Sequence, residues 1–431
     1  MINNRRQFLR VAGGIGASAF VTPLFNPAFA KQVEEASLRV NHLSPLETAG
    51  DEDFWYTIQQ AYTVSSSIIN LNNGGVSPQP RVVQDALDRF NRISNEGPAY
   101  YMWHVLGKGR ETVRTKLAQF GGCSSDEVAI CRNSTEALET VIFGLDLKKG
   151  DEVLTTNQDY PNMLSALKQR EKRDGIKVNY ISIPVPAKSL DDIIPLWEKA
   201  MTPKTKAILI CHIINLTGQI LPVKKIAEIA HAKGIEVIVD GAHAFGHFEF
   251  NISDLGVDYY GTSLHKWMSA PFGSGMLYIR KEKIEKLWPL FGAPADFDTK
   301  DIRKFEHLGT RSFPTELAIG QAIDFHNGIG AKRKEERLRF LKNYWAAKVL
   351  EIPGVKMNTS LDPSQSCAIG NMTIEGKDPA DLHNHLMNKW QIYTVTIKHE
   401  EFSGIRVTPH VYTTLNDLDL FVKGVQDFVT G

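Results

Sequence analysis

Between about residues 125 and 280 the chain alternates short apolar segments with segments of helical periodicity. The centres of two of them, Ala207–Cys211 and Val237–Val239, contain only apolar residues, which is typical of strands covered on both faces. Strands that alternate with helices form a mostly parallel sheet with right-handed crossovers, so the sequence predicts an α/β domain. The candidate strands are Glu127–Cys131, Glu152–Thr156, Lys177–Ile183, Ala207–His212, Glu236–Asp240, Tyr259–Ser263 and Gly275–Arg280.

Two of the intervening segments, Thr135–Leu145 and Val223–Lys233, carry an apolar stripe of helical spacing. Ligands of parallel sheets bind beyond the carboxyl ends of the strands. Functional side chains are therefore expected where the predicted strands end.

The C-terminal part, residues 311–431, has a different pattern. Charged helices over Ile329–Leu350 and Pro379–Lys389 frame weaker strands near Cys367–Ile374, Tyr393–Ile397 and Ile405–Pro409, which predicts a small α+β domain. A chain of this length suits one large and one smaller domain. The predicted division is a signal segment (1–30), an N-terminal segment (31–75), a large domain (76–310) and a small domain (311–431).

The first thirty residues have the features of an export signal. Arg5 and Arg6 precede an apolar stretch from Val11 to about Phe25, and Ala28-Phe29-Ala30 fits a small-x-small cleavage site. An amphipathic helix or a membrane anchor is the alternative, but the stretch is short and rich in Gly and Ala for a bilayer span. The sequence predicts that the bacterial twin-arginine machinery exports the folded protein to the periplasm or beyond.

Charge and cysteine usage narrow the choice of ligand. Lys+Arg and Asp+Glu are both 49, so nothing in the net charge indicates nucleic acid or a membrane surface. The four cysteines lack the spacing of a metal site, and no metal is expected. Cys131 and Cys211 end apolar runs and are interpreted as buried thiols.

Asp240 and Lys266 follow two of the predicted strands. Taken singly, an Asp at a strand end is often a cap or turn residue, and a Lys is usually a solvated surface group. In this order they form the layout that holds a pyridine ring between a carboxylate and an amine. Pyridoxal phosphate (PLP) chemistry requires a lysine that forms a Schiff base and an anion beside the ring nitrogen.

With Asp240 and Lys266 in this order, the chain resembles the class V aminotransferase family of PLP-dependent enzymes. This group includes cysteine desulfurases, isopenicillin N epimerases, kynureninases and phosphoserine or serine–glyoxylate aminotransferases. The resemblance covers residues 70–425 and implies the aspartate aminotransferase-like fold of PLP-dependent transferases. The motifs that carry it are Leu71–Ser77, Arg132–Glu136, Asn157–Tyr160, His212–Gly218, Asp240–His243 and Ser263–Lys266.

The resemblance implies a phosphate site at the start of the helix that begins near Ser134 and Thr135. The N-terminus of a helix attracts anions, although an ordinary helix cap fits the local sequence equally well. Ser263 and His265 would add donors to the same phosphate. The loop with Gly309 and Thr310 would complete the phosphate site of a neighbouring subunit, which implies a homodimer.

The remaining roles also follow from the resemblance. For the cofactor ring, the implied contacts are Tyr160 stacked on it, Asn215 at its hydroxyl, Asp240 at its nitrogen, and His243 fixing its tilt. Lys266 would carry the cofactor and move the Cα proton, with Asp240 and His243 as the other catalytic residues. Arg406 would pair with the substrate carboxylate, since guanidinium matches it bidentately, and Asn73 would also contact the substrate.

The predicted activity is that of an aminotransferase or epimerase acting at Cα of an amino acid. Thr394–Ser403, where desulfurases carry a nucleophilic cysteine, contains none, and this argues against sulfur transfer through a protein persulfide. His243 favours the epimerase-like branch. The alternatives are a β-lyase or C–S lyase, and a binding protein that keeps the fold without catalysis. A Rossmann dehydrogenase is excluded because no Gly-x-Gly-x-x-Gly follows the first strand.

Overall fold

The computed structural model describes residues 27–294 and 297–431. Arg5, Arg6 and the apolar stretch of the predicted signal lie outside these residues. The described chain begins with three helices, α1 (Pro27–Arg39), α2 (Pro45–Thr48) and α3 (Glu52–Gln59), followed by the short strand β1 (Ile69–Asn70). No helix of the described residues combines the length and apolar character needed to cross a bilayer.

The large domain contains a seven-stranded sheet with the order β2-β8-β7-β6-β5-β3-β4. Its strands are β2 (Val128–Cys131), β3 (Glu152–Thr156), β4 (Lys177–Ile181), β5 (Thr205–Cys211), β6 (Glu236–Asp240), β7 (Tyr259–Ser263) and β8 (Gly275–Ile279). The five neighbouring strands β7, β6, β5, β3 and β4 are parallel to one another. β8 runs antiparallel to both of its neighbours, β2 and β7. All seven predicted strands are confirmed, with bounds that differ by at most two residues.

Both faces of this sheet are buried, as the apolar strands predict. Along β5, Ile208 and Ile210 pack into one core, whereas Ala207 and Leu209 pack into the core on the opposite face. Helices cover both faces, as in other parallel sheets. The helices of this part of the chain are α4 (Arg81–Glu96), α5 (Pro98–Tyr100), α6 (Gly107–Gly121), α7 (Ser134–Gly144), α8 (Pro161–Asp174), α9 (Leu190–Ala200), α10 (Val223–Ala232), α11 (Ile252–Leu255) and α12 (Lys281–Ile284).

The C-terminal part forms an antiparallel sheet flanked by long helices. The sheet has the order β12-β13-β10-β9, and it packs into a core of its own around Trp345, Leu386 and Phe421. The elements are α13 (Phe313–Ile329), α14 (Ala331–Val349), β9 (Val355–Met357), β10 (Gly370–Ile374), α15 (Pro379–Trp390), β11 (Ile392–Tyr393), β12 (Val395–Lys398), β13 (Ser403–Val407) and α16 (Leu415–Thr430).

Two features of this part differ from the sequence prediction. The predicted helix Ile329–Leu350 is interrupted at Gly330, whose φ of 93° requires the left-handed region that glycine tolerates. The helix before that break, α13, was not predicted. Phe313, Leu317 and Ile319 of α13 pack into the core of the large domain, so this helix does not join the core of the small sheet.

The segment before residue 75 connects the two domains. β1 pairs in parallel with β11 of the C-terminal part, and Leu71 lies in the core of the small sheet. Phe54, Trp55 and other residues of the N-terminal helices pack in a third core that also contains Trp267 of the large domain. The path of the motif that begins at Leu71 is therefore fixed by both domains.

Glu306 lies at the centre of a buried ion network beneath β2. Its carboxylate accepts hydrogen bonds from Arg110 (2.6 Å), Arg114 (3.0 Å) and the Ile130 N–H (2.6 Å). Arg114 is 1% exposed, and Glu111, its other carboxylate partner, is half exposed. Burial raises the pKa of Glu306, but the hydrogen bond and charge of Arg114 outweigh it, and the pKa lies below its ordinary value.

Replacing Glu306 by alanine is expected to lower the free energy of unfolding by about 3–5 kcal/mol, because it leaves a guanidinium buried without its main partner. Glu111→Ala, the control at the exposed partner, should cost less than about 1 kcal/mol. Urea unfolding followed by circular dichroism measures both. Since the folded pKa of Glu306 is lowered, its contribution should be present above about pH 4.3 and be lost as the pH falls below that value. Equal effects of the two variants would contradict this prediction.

Candidate active site

Three adjacent parallel strands bring the predicted site residues to one edge of the large sheet. Asp240 is the last residue of β6, where it pairs with Cys211 of β5 on one side and Gly261 of β7 on the other. Ser263 ends β7, and Lys266 follows three residues later. The carboxyl ends of neighbouring parallel strands lie together, so this edge is the ligand-binding edge expected for the fold.

Lys266 and His243 are directly hydrogen-bonded. Lys266 Nζ lies 3.1 Å from His243 Nε2 and 5.9 Å from the centre of the Tyr160 ring. Burial lowers the pKa of Lys266 to about 8; the charge of Asp240 raises it and that of Arg406 lowers it further. Burial, with the charges of Lys266 and Arg406, also holds the pKa of His243 well below its ordinary value, so the imidazole is neutral.

A second carboxylate that the sequence analysis did not single out lies beside Asp240. Oxygens of Asp159 and Asp240 and the Cys211 sulfur all lie within 4.8 Å of one another. The Cys211 thiol donates to Asp159 over 2.9 Å, and the Thr155 hydroxyl donates over 3.1 Å. Burial, with the charge of Asp240, raises the pKa of Asp159 to about 7. Asp159 lies inside the Asn157–Tyr160 motif, from which only Tyr160 was predicted to contact the cofactor. Its position three residues after β3 is the sequence signal that could have identified it.

Arg406 is buried without a carboxylate partner among the described residues. The guanidinium donates to the Asn215 carbonyl (3.0 Å) and to Asn72 Oδ1 (2.8 Å). Only 6% of the residue is exposed, and burial lowers the pKa of Arg406 to about 10, so it stays charged at neutral pH. A buried cation held only by neutral oxygens can accept a carboxylate from a ligand.

Arg406 donates to the side chain of Asn72, the neighbour of Asn73, which was predicted to contact the substrate. Asn73 is fully buried, and its Nδ2 donates to the carbonyls of Asn70 and Thr408 over 3.1 and 2.9 Å. Its Oδ1 accepts from Tyr412 at 2.6 Å. With both ends of its amide used inside the protein, Asn73 holds the β1 turn, and its neighbour faces the guanidinium.

Two of the predicted phosphate residues, Ser134 and Ser263, meet at the start of α7. Asn133 caps this helix; the Ser134 N–H donates to Ser263 Oγ, which in turn lies 2.9 Å from Ser134 Oγ. Gly275 of the neighbouring strand allows this close packing, because a Cβ there would approach the Asn133 backbone to 2.6 Å. Thr135, next to Ser134, and His265, two residues after Ser263, are partly exposed. Gly309 and Thr310 lie on an exposed loop.

Several buried polar atoms of this region have no hydrogen-bond partner among the described residues. They are His243 Nδ1, His265 Nδ1, Asn215 Oδ1 and Arg406 Nε. Leaving such atoms unsatisfied costs free energy, and in native proteins they often mark a bound ligand. An anion-binding helix start, a buried carboxylate, an amine of lowered pKa and these unsatisfied atoms match the groups of PLP. The described residues therefore fit this cofactor.

The lowered pKa of Lys266 can be tested directly by chemical labelling. In protein freed of bound small molecules, acetic anhydride should modify Lys266 with a midpoint near pH 8, because only the neutral amine reacts. The same lysine in urea should show a midpoint of about 10.4, the ordinary value for this side chain. Peptide mass spectrometry measures both profiles. Identical midpoints in the folded and unfolded protein would contradict the prediction.

The chain is similar in sequence to known proteins along most of its length. The family profile described as "Aminotransferase class-V" matches residues 69–421. An isopenicillin N epimerase of Amycolatopsis lactamdurans is 28% identical over 391 residues, which cover 86% of this chain and 98% of that protein. A probable cysteine desulfurase of Halalkalibacterium halodurans is 29% identical over 395 residues, or 84% of this chain and 93% of that protein.

A solved structure supports the fold. The apo cysteine desulfurase of Thermococcus onnurineus has a TM-score of 0.78 to this chain at 22% identity, covering 87% of this chain and 98% of that one. The likeness confirms the predicted PLP-dependent transferase fold, with its large, mostly parallel sheet and its small C-terminal domain.

Proposed function

The chain belongs to the class V aminotransferase family of PLP-dependent enzymes, and from that premise we propose that it is an aminotransferase or epimerase that acts at Cα of an amino acid. The observation that carries the proposal is the pairing of two groups in one site. Lys266 offers an amine of lowered pKa, and Arg406 offers a buried cation with no carboxylate partner among the described residues.

The proposal assigns the following residues to the cofactor. Ser134, Thr135, Ser263 and His265 would hold the phosphate, Asp240 the ring nitrogen, and Tyr160, Asn215 and His243 the ring. When bound, PLP links to the amine of its substrate and accepts the electron pair released from a bond at Cα.

The chain's own residues supply the proton transfer and the orientation. Arg406 would hold the α-carboxylate, which fixes the Cα–H bond relative to Lys266. With a pKa of about 8, Lys266 exists partly as a neutral amine near neutral pH and can accept the Cα proton. His243 Nε2, 3.1 Å away, accepts a hydrogen bond from the amine and holds it in place. Asp240 would keep a proton on the ring nitrogen, since an anion favours the charged form of a neighbouring base.

A β-lyase or C–S lyase is the second candidate. Similarity to a probable cysteine desulfurase supports chemistry at a C–S bond. However, the turn between β12 and β13 has no cysteine, and Cys367 is 1% exposed, with its sulfur 3.7 Å from the Glu335 carbonyl. A reaction at sulfur would therefore release it to solution, without a protein persulfide.

A panel of L-amino acids tests the proposal. The purified protein loaded with PLP is incubated in D₂O with each amino acid, and products are identified by mass spectrometry and chiral chromatography. A keto acid indicates transamination, and a deuterated D-amino acid indicates epimerisation. Pyruvate with a released thiol or sulfide identifies the lyase. Absence of product and of Cα deuteration for every amino acid would refute the proposal and favour a binding protein.

We propose that the enzyme is a homodimer in which the loop of Gly309 and Thr310 completes the phosphate site of the partner. The loop is exposed, and so are the large apolar side chains of Trp103, Phe272 and Trp288. Exposed apolar surface of this kind supports a contact with a second subunit. Sedimentation velocity should give a dimer, and Gly309→Asp should weaken PLP binding without unfolding the chain. A monomer that binds PLP with full affinity would contradict this.

We also propose that the twin-arginine machinery exports the protein. Arg5 and Arg6 lie outside the described residues, and their sequence context is the support. In a bacterial host that has this machinery, changing both residues to lysine should retain the protein in the cytoplasm. An unchanged distribution after cell fractionation would refute the signal.

A further inference from the structure

The turn of residues 399–402, between β12 and β13, contacts the large domain, and Glu401 makes three of these contacts. Glu401 accepts hydrogen bonds from Asn157 Nδ2 (3.1 Å), Gln158 Nε2 (3.0 Å) and the Ser182 hydroxyl. All three donors follow the carboxyl ends of β3 and β4, whereas Glu401 belongs to the small sheet. Hydrogen bonds to an ionised carboxylate are roughly twice as strong as neutral ones.

Neighbouring residues of the turn strengthen this attachment. His399 Nε2 lies 3.1 Å from the Asn157 carbonyl, and its Nδ1 accepts from the Glu401 N–H at 3.3 Å. The two contacts select the tautomer with the proton on Nε2, and the ring stacks on Phe402 with centres 5.0 Å apart. Glu400 also accepts from Asn157 Nδ2, at 3.0 Å. Three side chains of the turn, those of His399, Glu400 and Glu401, thus contact the large domain.

Both ends of this attachment lead into the candidate site. Asn157 and Gln158 directly precede Asp159, which lies beside Asp240, and Tyr160, whose ring faces Lys266. Gln158 is fully buried and also donates to the Ile183 carbonyl at 2.7 Å. On the other side of the turn, β13 carries Arg406. The hydrogen bonds of Glu401 therefore span the short gap between the strand of Arg406 and the motif of Tyr160.

We propose that Glu401 is a positioning residue that fixes Arg406 of the small domain relative to Tyr160 and Lys266 of the large domain. The roles of Arg406 and Lys266 in this statement rest on the proposed function. Glu401 itself touches neither of them. Its three large-domain contacts are all with uncharged groups, so the attachment depends on the acceptor geometry of the carboxylate, which an amide reproduces only in part.

Hydrogen–deuterium exchange of the full chain tests the attachment without reference to catalysis. Glu401→Ala should raise exchange at least about tenfold in residues 157–160 and 399–402 together, while β5 to β7 stay unchanged. The matched control is Glu375→Ala, at another exposed end of the small sheet, which should leave both segments unchanged. A uniform rise throughout the chain, or a rise in only one of the two segments, would overturn the proposal.

Kinetics tests the positioning itself. With an amino acid that the enzyme turns over, Glu401→Ala should raise KM about tenfold, the effect of losing one charge-assisted hydrogen bond. Glu401→Gln should raise KM less than Glu401→Ala, because an amide keeps one acceptor oxygen. Ser182→Ala should add little to Glu401→Ala, because the Ser182 hydroxyl donates to Glu401 and both changes remove that contact. Additive effects of these two changes, or an unchanged KM in Glu401→Ala, would overturn the proposal. If no amino acid is turned over, the proposed function fails, while the exchange experiment still decides the attachment.

Discussion

Replacing Lys266 by alanine is expected to abolish covalent attachment of PLP and to lower kcat/KM about 10⁴-fold, the upper range for loss of a positioned acid–base group. Alanine removes the amine that lies 3.1 Å from His243 and has a pKa of about 8. The measurements are the violet absorption of the purified protein, borohydride reduction followed by peptide mass spectrometry, and steady-state kinetics. In the unaltered enzyme, the reduced label should lie on Lys266.

The matched control is Lys225→Ala, which removes an exposed lysine paired with Glu228. It should leave absorption, labelling and kinetics unchanged. A Lys266→Ala protein that stays coloured and is still labelled by borohydride would show that another amine holds the cofactor. Folding of the variant is checked by circular dichroism, so that loss of attachment is not confused with loss of structure.

Replacing Arg406 by alanine should lower kcat/KM for amino acids about 10³-fold, within the range for truncating one partner of a buried charge pair. The guanidinium is buried, charged, and held only by Asn72 and the Asn215 carbonyl. The kcat/KM of Arg406→Lys should lie between those of the unaltered enzyme and Arg406→Ala, since an ammonium supplies the charge without the bidentate geometry. Most of the loss should appear in KM, because in the proposed function Arg406 binds the carboxylate and does not move the proton.

Amines that lack the carboxylate separate binding from a general defect. For the decarboxylated form of the best substrate, Arg406→Ala and the unaltered enzyme should have similar kcat/KM. Arg173→Lys, a change at an exposed arginine that pairs with Asp174, should leave kcat/KM unchanged for both substrates. An equal loss for both substrates would show that Arg406 supports the structure of the site without contacting the carboxylate.

The strands of the large sheet and the residues at their ends could be predicted from local sequence patterns. Continuous apolar runs such as that of β5 can be buried only between two layers, and the alternation of Ile208 and Leu209 between opposite cores follows from the pleat. Asp240, Ser263 and the start of α7 at Ser134 were located for the same local reason. The antiparallel direction of β8 was not, because an apolar strand has the same pattern in either direction.

Which side chains meet in the site depends on how distant segments pack together. Asn72 and Asn73 are adjacent and chemically identical, and the bridge of Asn72 to Thr408 of the small domain selects the one that faces Arg406. Asp159 comes close to Asp240 because β3, which precedes Asp159, and β6, which ends at Asp240, are separated by a single strand in the sheet. Likewise, Glu401 reaches Gln158 across 243 positions of the chain. Periodicity reports which face of an element is buried, but contacts between distant segments depend on sheet order and domain packing, which no local pattern encodes.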